Sequence, residues 1–132
     1  MSDDRLNLND VQAQFALGIV FQENGDLEGA IAAYRTALRL DPNHVHARYN
    51  LGNALQANGD LKGAIAAYRT ALRLDPASVG AHDNLGLALA KTGDLEGAIA
   101  ELRIALRLDP NDMDAQFILA RILQAKGDQD GR

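Results

Sequence analysis

The sequence has no cysteine and no tryptophan, and its 132 residues include only three phenylalanines and three tyrosines. The absence of cysteine excludes a disulfide scaffold, a thiolate zinc site and a cysteine nucleophile. A surplus of basic residues is also missing, since 13 Lys and Arg stand against 18 Asp and Glu for a net charge of −5. Generic binding to a phosphate backbone needs a basic face, so we expect no nucleic-acid partner.

Long hydrophobic runs are absent as well. No apolar stretch approaches the roughly 20 residues of a membrane-spanning helix, and residues 1–15 are too acidic for a signal peptide. We therefore expect no membrane span, and either a cytoplasmic protein or a piece of a larger one. Apolar residues make up 47% of the chain and charged residues 23%, so it can bury a core and fold.

What the sequence does contain is an internal repeat with a period of 34 residues. Gly-Asp-Leu occurs at 25–27, 59–61 and 93–95, and Asp-Pro at 41–42, 75–76 and 109–110. The segments 25–42 and 59–76 differ only at Glu28 and Lys62. Such identity predicts a tandem array of similar structural repeats.

Each repeat carries the signals of two helices, called helix A and helix B here. Helix A is predicted to begin after 9–10, 43–44, 77–78 and 111–112, where Asn, Asp and Ser can accept from free amide groups. It is predicted to end at a glycine in the left-handed conformation, at Gly25, Gly59, Gly93 and Gly127. The aspartate after the first three glycines can cap helix B. The Asp-Pro pair ends helix B, because the residue before proline avoids helical geometry.

These residues resemble the tetratricopeptide repeat (TPR) family, which has the same period and a similar pattern of small and aromatic positions. The first repeat gives Leu17-Gly18-x2-Phe21, Ala30-x3-Tyr34 and Pro42. The tryptophan position of the family pattern holds Gln14, Arg48, His82 and Gln116. The resemblance covers residues 10–126. It implies an all-α fold, a right-handed superhelical solenoid of antiparallel helix pairs with about seven helices.

The repeat predicts a single array with short ends. Full repeats are expected at 11–44, 45–78 and 79–112, and a partial repeat, consisting of helix A alone, at 113–126. The segments 1–9 and 127–132 are expected to be flexible. Close packing of helices A and B is expected where Gly18, Gly52 and Gly86 face Ala30, Ala64 and Ala98.

No set of residues points to catalysis or metal binding. Ser78 is interpreted as a helix cap, and His82 and Asp83 as occupants of variable repeat positions, not as a catalytic set. His44 and His46 lack a third ligand at helical spacing and are interpreted as surface histidines. The glycines follow the repeat and not a nucleotide-binding fingerprint. We therefore expect no enzyme activity, no cofactor and no metal.

Arginines recur on helix B with a spacing of four residues, at Arg35, Arg39, Arg69, Arg73, Arg103 and Arg107. This spacing places each pair on one stripe of its helix. We interpret the stripe as a solvated outer face, and a strip for an acidic partner is the alternative.

Positions that vary between repeats are candidates for recognition, and the resemblance places them on the inner groove of the A helices. Asn50 and Asn84 can hydrogen-bond an extended peptide, or can instead hold neighbouring repeats together. Apolar residues at both ends suit a peptide or helix with apolar anchors. The predicted groove comprises Phe15, Ile19, Tyr49, Asn50, Asn53, Asp83, Asn84, Leu87, Phe117 and Arg121.

Some members of the family clamp the C-terminal carboxylate of heat-shock chaperones with two asparagines and three basic residues. Asn53 and Asn84 match the two asparagine positions, but the basic positions hold Tyr49, Asp114 and Ile118. We therefore expect no binding of chaperone tails through this clamp.

The last helix, 113–126, has no helix B to cover it. Ile118 and Ile122 are expected to face outward, with Leu119 and Leu123 packed on the third repeat. Exposed apolar residues favour an interface, so self-association through Ile118 and Ile122 is predicted. For the whole array we predict a protein–protein interaction scaffold or adaptor. The alternatives are a substrate-selecting TPR domain of a larger enzyme and a self-association module.

Overall fold

The computed structural model describes residues 10–129 and 131, and within them the chain forms seven α-helices and no strand. They are α1 (Val11–Glu23), α2 (Leu27–Leu40), α3 (Val45–Ala57), α4 (Leu61–Leu74), α5 (Val79–Lys91), α6 (Leu95–Leu108) and α7 (Met113–Gln129). The odd-numbered helices are the A helices, and α2, α4 and α6 are the B helices. No helix in this described part is long and apolar enough to cross a bilayer.

The helices group into two compact modules. Among the described residues, the N-terminal module ends at residue 74 and holds α1 to α4, and the C-terminal module begins at residue 75 and holds α5 to α7. Within the first, α1 pairs with α2, α3 pairs with α4, and α2 also contacts α3. Within the second, α5 pairs with α6, and α7 packs on both.

Side-chain caps begin the helices at the predicted places. Asp10 accepts from an amide of the first turn of α1 at 2.8 Å, and Asp26 and Asp94 do the same for α2 and α6 at 2.9 Å. His44 was not expected to act as a cap. Its Nδ1 accepts from the Ala47 amide at 3.0 Å, which gives this histidine a structural role at the start of α3.

The predicted glycine ends are confirmed for three A helices. Gly25, Gly59 and Gly93 have φ of 80°, 86° and 93°. The fourth expectation is wrong, because α7 continues through Gly127 to Gln129. An ion pair from Lys126 to Glu96 of α6 holds the last turns of α7 on its neighbour. Residues 127–129 are therefore helical, and the segment 1–9 lies outside the described residues.

The glycines of the A helices make room chiefly for the large side chain of helix B. A Cβ built on Gly18 or Gly52 would lie 2.4 or 2.5 Å from a ring carbon of Tyr34 or Tyr68. The nearest atoms to these two glycines are therefore ring carbons, and not atoms of the alanines that were expected to face them. In the third repeat, where Leu102 replaces the ring, Gly86 also approaches the Ala98 carbonyl, 3.3 Å from an added Cβ.

Candidate functional site

In the N-terminal module, three predicted groove residues are half-buried on α1 and α3, namely Phe15, Ile19 and Tyr49. The ring of Phe15 lies 4.7 Å from the ring of His44, centroid to centroid. Each aromatic ring also lies 6.1 Å from the helix B tyrosine of its own repeat. The helix B tyrosine thus packs against one side of each ring, and part of the ring surface stays accessible to solvent.

Asn53 is held by a buried tyrosine. The Tyr68 hydroxyl donates to Asn53 Oδ1 at 2.6 Å and accepts from Gln56 Nε2 at 3.1 Å. Burial raises the pKa of Tyr68, so its hydroxyl stays protonated and remains a donor. Asn53 therefore supports the packing of α3 on α4, in addition to any contact with a ligand.

Asn50 has a similar role between two repeats. The Tyr34 hydroxyl of α2 donates to Gln22 Oε1 of α1 at 2.7 Å and is also hydrogen-bonded to the Asn50 side chain of α3. Burial raises the pKa of Tyr34, and the hydrogen bond with Asn50 lowers it in part. The structure therefore favours the interpretation that Asn50 holds neighbouring repeats together.

In the C-terminal module, a cleft of about 420 Å³ lies between α5, the start of α6 and α7. Three predicted groove residues line it, Leu87, Phe117 and Arg121, together with Ala90, Leu95, Ile118, Ile122 and Ala125. Phe117 is 64% exposed. The Arg121 guanidinium carbon lies 5.9 Å from the centroid of the Phe117 ring, within the range of a cation–π contact. Asn84 is half-buried on the same helix as Leu87.

Asp83 does not lie on an exposed groove surface, which corrects the sequence-based expectation. It is only 7% exposed. Phe15 occupies the same repeat position and packs beside the cap of the following A helix, and Asp83 likewise faces Asp112 at the start of α7. A short side chain at this position is covered by its neighbours.

Asp83 and Asp112 form a buried acid pair. Asp83 Oδ1 and Asp112 Oδ2 are both buried and receive no hydrogen bond from a described residue. Burial, reinforced by Asp112 and then by the charges of Asp114 and Asp109, raises the pKa of Asp83 to about 8. Because this pKa lies above neutral, the Asp83 carboxyl favours its protonated form, which can donate to Asp112 at the start of α7.

His82 is also buried and makes two polar contacts. Its Nδ1 lies 2.7 Å from Glu101 Oε2, and its Nε2 lies 2.9 Å from the Pro76 carbonyl oxygen. Both ring nitrogens therefore face oxygen atoms, one on α6 and one in the turn before α5. Glu101 replaces the alanine of the first two repeats, so the third repeat carries both members of this pair.

The contact with the proline carbonyl recurs at the tryptophan position of other repeats. Arg48 donates to the Pro42 carbonyl at 3.2 Å, and Gln116 Nε2 donates to the Pro110 carbonyl at 2.8 Å. Sequence reasoning missed this function. The available signal was a side chain with an N–H group six residues after each proline.

Two family models of the tetratricopeptide repeat match the chain, one over residues 15–79 and one over residues 55–122. The second spans more than half of the sequence. The chain belongs to the tetratricopeptide repeat family. A comparison with curated protein sequences finds no significant match.

Solved structures share the TPR fold over nearly all of this chain. The crystal structure of MamA is 25% identical with a TM-score of 0.90, covering 96% of this chain and 74% of that chain. The first TPR of Spaghetti (RPAP3), bound to the HSP90 peptide SRMEEVD, is 22% identical with a TM-score of 0.87, covering 95% and 99%. An O-GlcNAc transferase mutant of Thermobaculum terrenum is 28% identical with a TM-score of 0.79, covering 93% of this chain but 23% of that chain. The fold is an all-α helical repeat solenoid.

The last TPR helix, α7, presents different residues to solvent from those expected. Ile122 is 5% exposed and Ile118 is half-buried, so the outward orientation predicted for Ile122 is wrong. Leu123 was expected to pack inward but is 43% exposed. Met113 and Phe117 are more exposed still. The helix packs on its neighbours through Ala115, Ile118, Leu119 and Ile122, which share one face at helical spacing.

The arginines of the B helices and the histidines at the start of α3 lie outside the packing face of α7. All six arginines of the B helices are exposed, and none forms an ion pair with a described residue. Within residues 10–129 no group of three or more His, Asp or Glu side chains is placed to hold a metal ion. His44 and His46 lie edge to face with ring centroids 6.3 Å apart, but His44 serves as the cap of α3.

Proposed function

We propose that this TPR chain is a protein–protein interaction module that binds a peptide or helix of a partner on the exposed faces of its A helices. The observation that carries the proposal is the apolar cleft of the C-terminal module, with Phe117 largely exposed at its edge. An exposed aromatic ring beside an open apolar cleft is typical of a binding surface. The peptide bound by the RPAP3 domain is consistent with peptide partners for this fold.

On this proposal the chain acts as a scaffold or adaptor with no chemistry of its own. Two pairs of titratable side chains lie within the packed helices. Asp83 contacts Asp112, and His82 contacts Glu101. Neither is presented to a substrate in a cleft, as a catalytic acid or base must be. The cytoplasmic location expected from the sequence stays a prediction.

A second candidate is a substrate-selecting TPR region of a larger enzyme. The similarity to the Thermobaculum terrenum O-GlcNAc transferase favours it, because this chain covers 23% of that protein. The same binding face would then present substrate proteins to a catalytic domain. Sequence beyond residue 132 in the source gene would distinguish this role from that of a separate adaptor.

Self-association is a third candidate, favoured by the exposed apolar residues Met113, Phe117 and Leu123 on α7. Of the two residues predicted for this interface, Ile122 is buried and Ile118 is half-buried, so the test uses the exposed residues of α7 instead. Sedimentation equilibrium over a wide concentration range should show a dimer that Leu123→Glu disrupts. A parent chain that stays monomeric throughout would exclude this role.

The binding proposal is tested with a random-peptide phage library selected on the parent chain. Phe117→Ala should weaken peptides that bind the C-terminal module, and Tyr49→Ala should weaken peptides that bind the N-terminal module, each by roughly tenfold or more, as expected for aromatic anchors. Arg103→Ala, on the exposed face of α6, is the matched control and should have no effect. Circular dichroism should show all three variants folded. Peptides that bind every variant equally would show that the A-helix faces are not the site.

A further inference from the structure

The cleft of the C-terminal module has a counterpart in the N-terminal module, because residues two periods apart occupy the same repeat position. Its lining residues Leu87, Ala90, Phe117, Ile118 and Arg121 correspond to Ile19, Gln22, Tyr49, Asn50 and Asn53. The same positions between α1 and α3 therefore carry different chemistry.

In the N-terminal module three of these positions hold hydrogen-bonded amides, namely Gln22, Asn50 and Asn53. Gln22 and Asn50 both bind the hydroxyl of Tyr34, which is fully buried beneath them. In the C-terminal module the tyrosine becomes Leu102, and the two amides become Ala90 and Ile118. Because the hydroxyl and both amides are replaced together, none of these three positions leaves a buried polar group without its hydrogen bond in the apolar cleft.

Arg121 adds a single charge to this apolar cleft. It is the one charged side chain among the described residues of the lining. Its guanidinium is exposed, lies over Phe117 and forms no ion pair with a described residue. Asp128 lies with Arg121 and Gln124 along an adjoining depression without pairing to it. Arg121 can therefore donate to a carboxylate of a partner without first breaking an internal ion pair.

We propose that this cleft binds a peptide segment in which a large apolar side chain stands next to an acidic residue. The apolar side chain would lie between Leu87 and Ile118, and the carboxylate would meet Arg121. This inference rests on the proposed function and names the class of ligand. Apolar burial supplies most of the affinity, because an exposed ion pair adds up to about fivefold. The cleft volume of about 420 Å³ fits this use, since ligand pockets span roughly 300 to 1,000 Å³.

The probe is a capped hexapeptide of glycine and serine that carries one leucine followed by one glutamate. Its binding is followed by amide shifts in nitrogen-15 spectra of the whole chain. We expect shifts at Leu87, Phe117 and Arg121. Replacing the leucine of the peptide by alanine should weaken binding about tenfold, and replacing the glutamate by glutamine should weaken it about threefold.

Matched variants take the residue found at the same position of the N-terminal module. Arg121→Asn should bind the glutamate and glutamine peptides equally and keep the preference for leucine over alanine. Ile118→Asn should remove the leucine preference. If Ile118→Asn does not fold, Ala90→Gln fills the same cleft from α5 and should give the same result. Arg103→Asn is the control and should change neither preference.

The inference is overturned if the three peptides bind the parent equally, if none produces shifts, or if the shifts appear at Phe15 and Tyr49 instead. Its failure is distinguishable from that of the proposed function. Library-selected peptides that need Phe117 but tolerate loss of their apolar or acidic residue would retain the binding function and remove this specificity. The absence of any selected peptide would remove the proposed function itself.

Discussion

Tyr34 and Tyr68 in the N-terminal module occupy the same position of helix B as Leu102 in the C-terminal module. All three are fully buried against a glycine of helix A. The tyrosines bring hydroxyl groups that need partners, and Gln22, Asn53 and Gln56 supply them. Leucine brings no such group, so the residues around it are free to become apolar.

This difference shows how one buried position sets the chemistry of the surface above it. A buried hydroxyl needs hydrogen-bond partners, so the side chains above it are polar and direct their polar atoms inward. Where the hydroxyl is lost, as at Leu102, the same positions open into an apolar cleft. In the C-terminal module the buried polar side chains form two other pairs. Asp83 faces Asp112, and His82 contacts Glu101.

The largest effect should come from Gly52→Ala, which tests the rigidity of the tyrosine packing. The added Cβ would lie 2.5 Å from a ring carbon of Tyr68, so we expect a loss of about 2–3 kcal/mol in the free energy of unfolding. Gly86→Ala meets Leu102 Cγ at 2.9 Å, and a leucine can change rotamer, so the loss should be nearer about 1 kcal/mol. Urea unfolding followed by circular dichroism measures both. Equal losses would contradict a difference in rigidity between the modules.

Tyr68→Phe should have the next largest effect. It removes the donor to Asn53 Oδ1 and the acceptor of Gln56 Nε2 while keeping the ring. We expect a loss of about 1–2 kcal/mol in the free energy of unfolding, because buried polar groups lose a partner. Tyr34→Phe breaks the bond to Gln22 and should cost a similar amount. If both variants are as stable as the parent, the hydrogen bonds of these hydroxyls do not stabilise the packing of the residues above them.

Asp83→Asn tests the buried acid pair of the C-terminal module. The pKa of Asp83 is raised to about 8 in the folded chain, against about 3.9 when unfolded. The folded state therefore binds the extra proton between these values, and its stability falls as pH rises from about 4 through about 8. At pH near 8 the variant should melt about 4 °C or more above the parent, and the gap should shrink as pH falls to 5.

The control for this pH dependence is Asp128→Asn, an exposed aspartate of α7. Thermal melts of the two variants and the parent are compared at both pH values. Asp128→Asn should leave the pH dependence of Tm unchanged. A parent Tm that rises with pH over this range, or an Asp83→Asn variant with the parent's pH profile, would show that the pair does not hold a proton.

The smallest effect is a gain from Gly127→Ala. Gly127 lies inside α7 and an added Cβ meets no atom within 4 Å. Alanine should therefore raise the free energy of unfolding by about 0.5–1 kcal/mol. Gly59→Ala in the N-terminal module is the contrast, because φ of 86° is strained for alanine and the change should destabilise. A loss of stability in Gly127→Ala would restore the sequence-based prediction of a helix end at this glycine.

The framework of the fold could be predicted because the repeat fixes it. Gly25, Gly59 and Gly93 ended their helices as expected, and Asp26 and Asp94 capped the next ones. These features depend on neighbours within a few residues along the chain. A period of 34 residues then carries each of them from one repeat to the next.

The direction and partners of individual side chains were harder to predict. Asp83 shares a repeat position with two half-buried aromatic rings, and only the fold brings Asp112 against it. Ile122 was placed outward although Ala54 and Ala88, at the same position, are 0% exposed. Alanine at a position reveals little about its burial, because it is accepted in the core and on the surface.

The near identity of residues 25–42 and 59–76 has a consequence for how the N-terminal module folds. Gln22 and Gln56 occupy the same position of helix A, so α1 could form the same hydrogen bond with Tyr68 of α4 as it does with Tyr34 of α2. Native pairing closes a turn over residues 24–26, whereas the exchanged pairing closes a loop over residues 24–60. The longer loop costs roughly 2 kcal/mol more in chain entropy. The shortness of the turns therefore favours the native pairing of α1 with α2 over its pairing with the nearly identical α4.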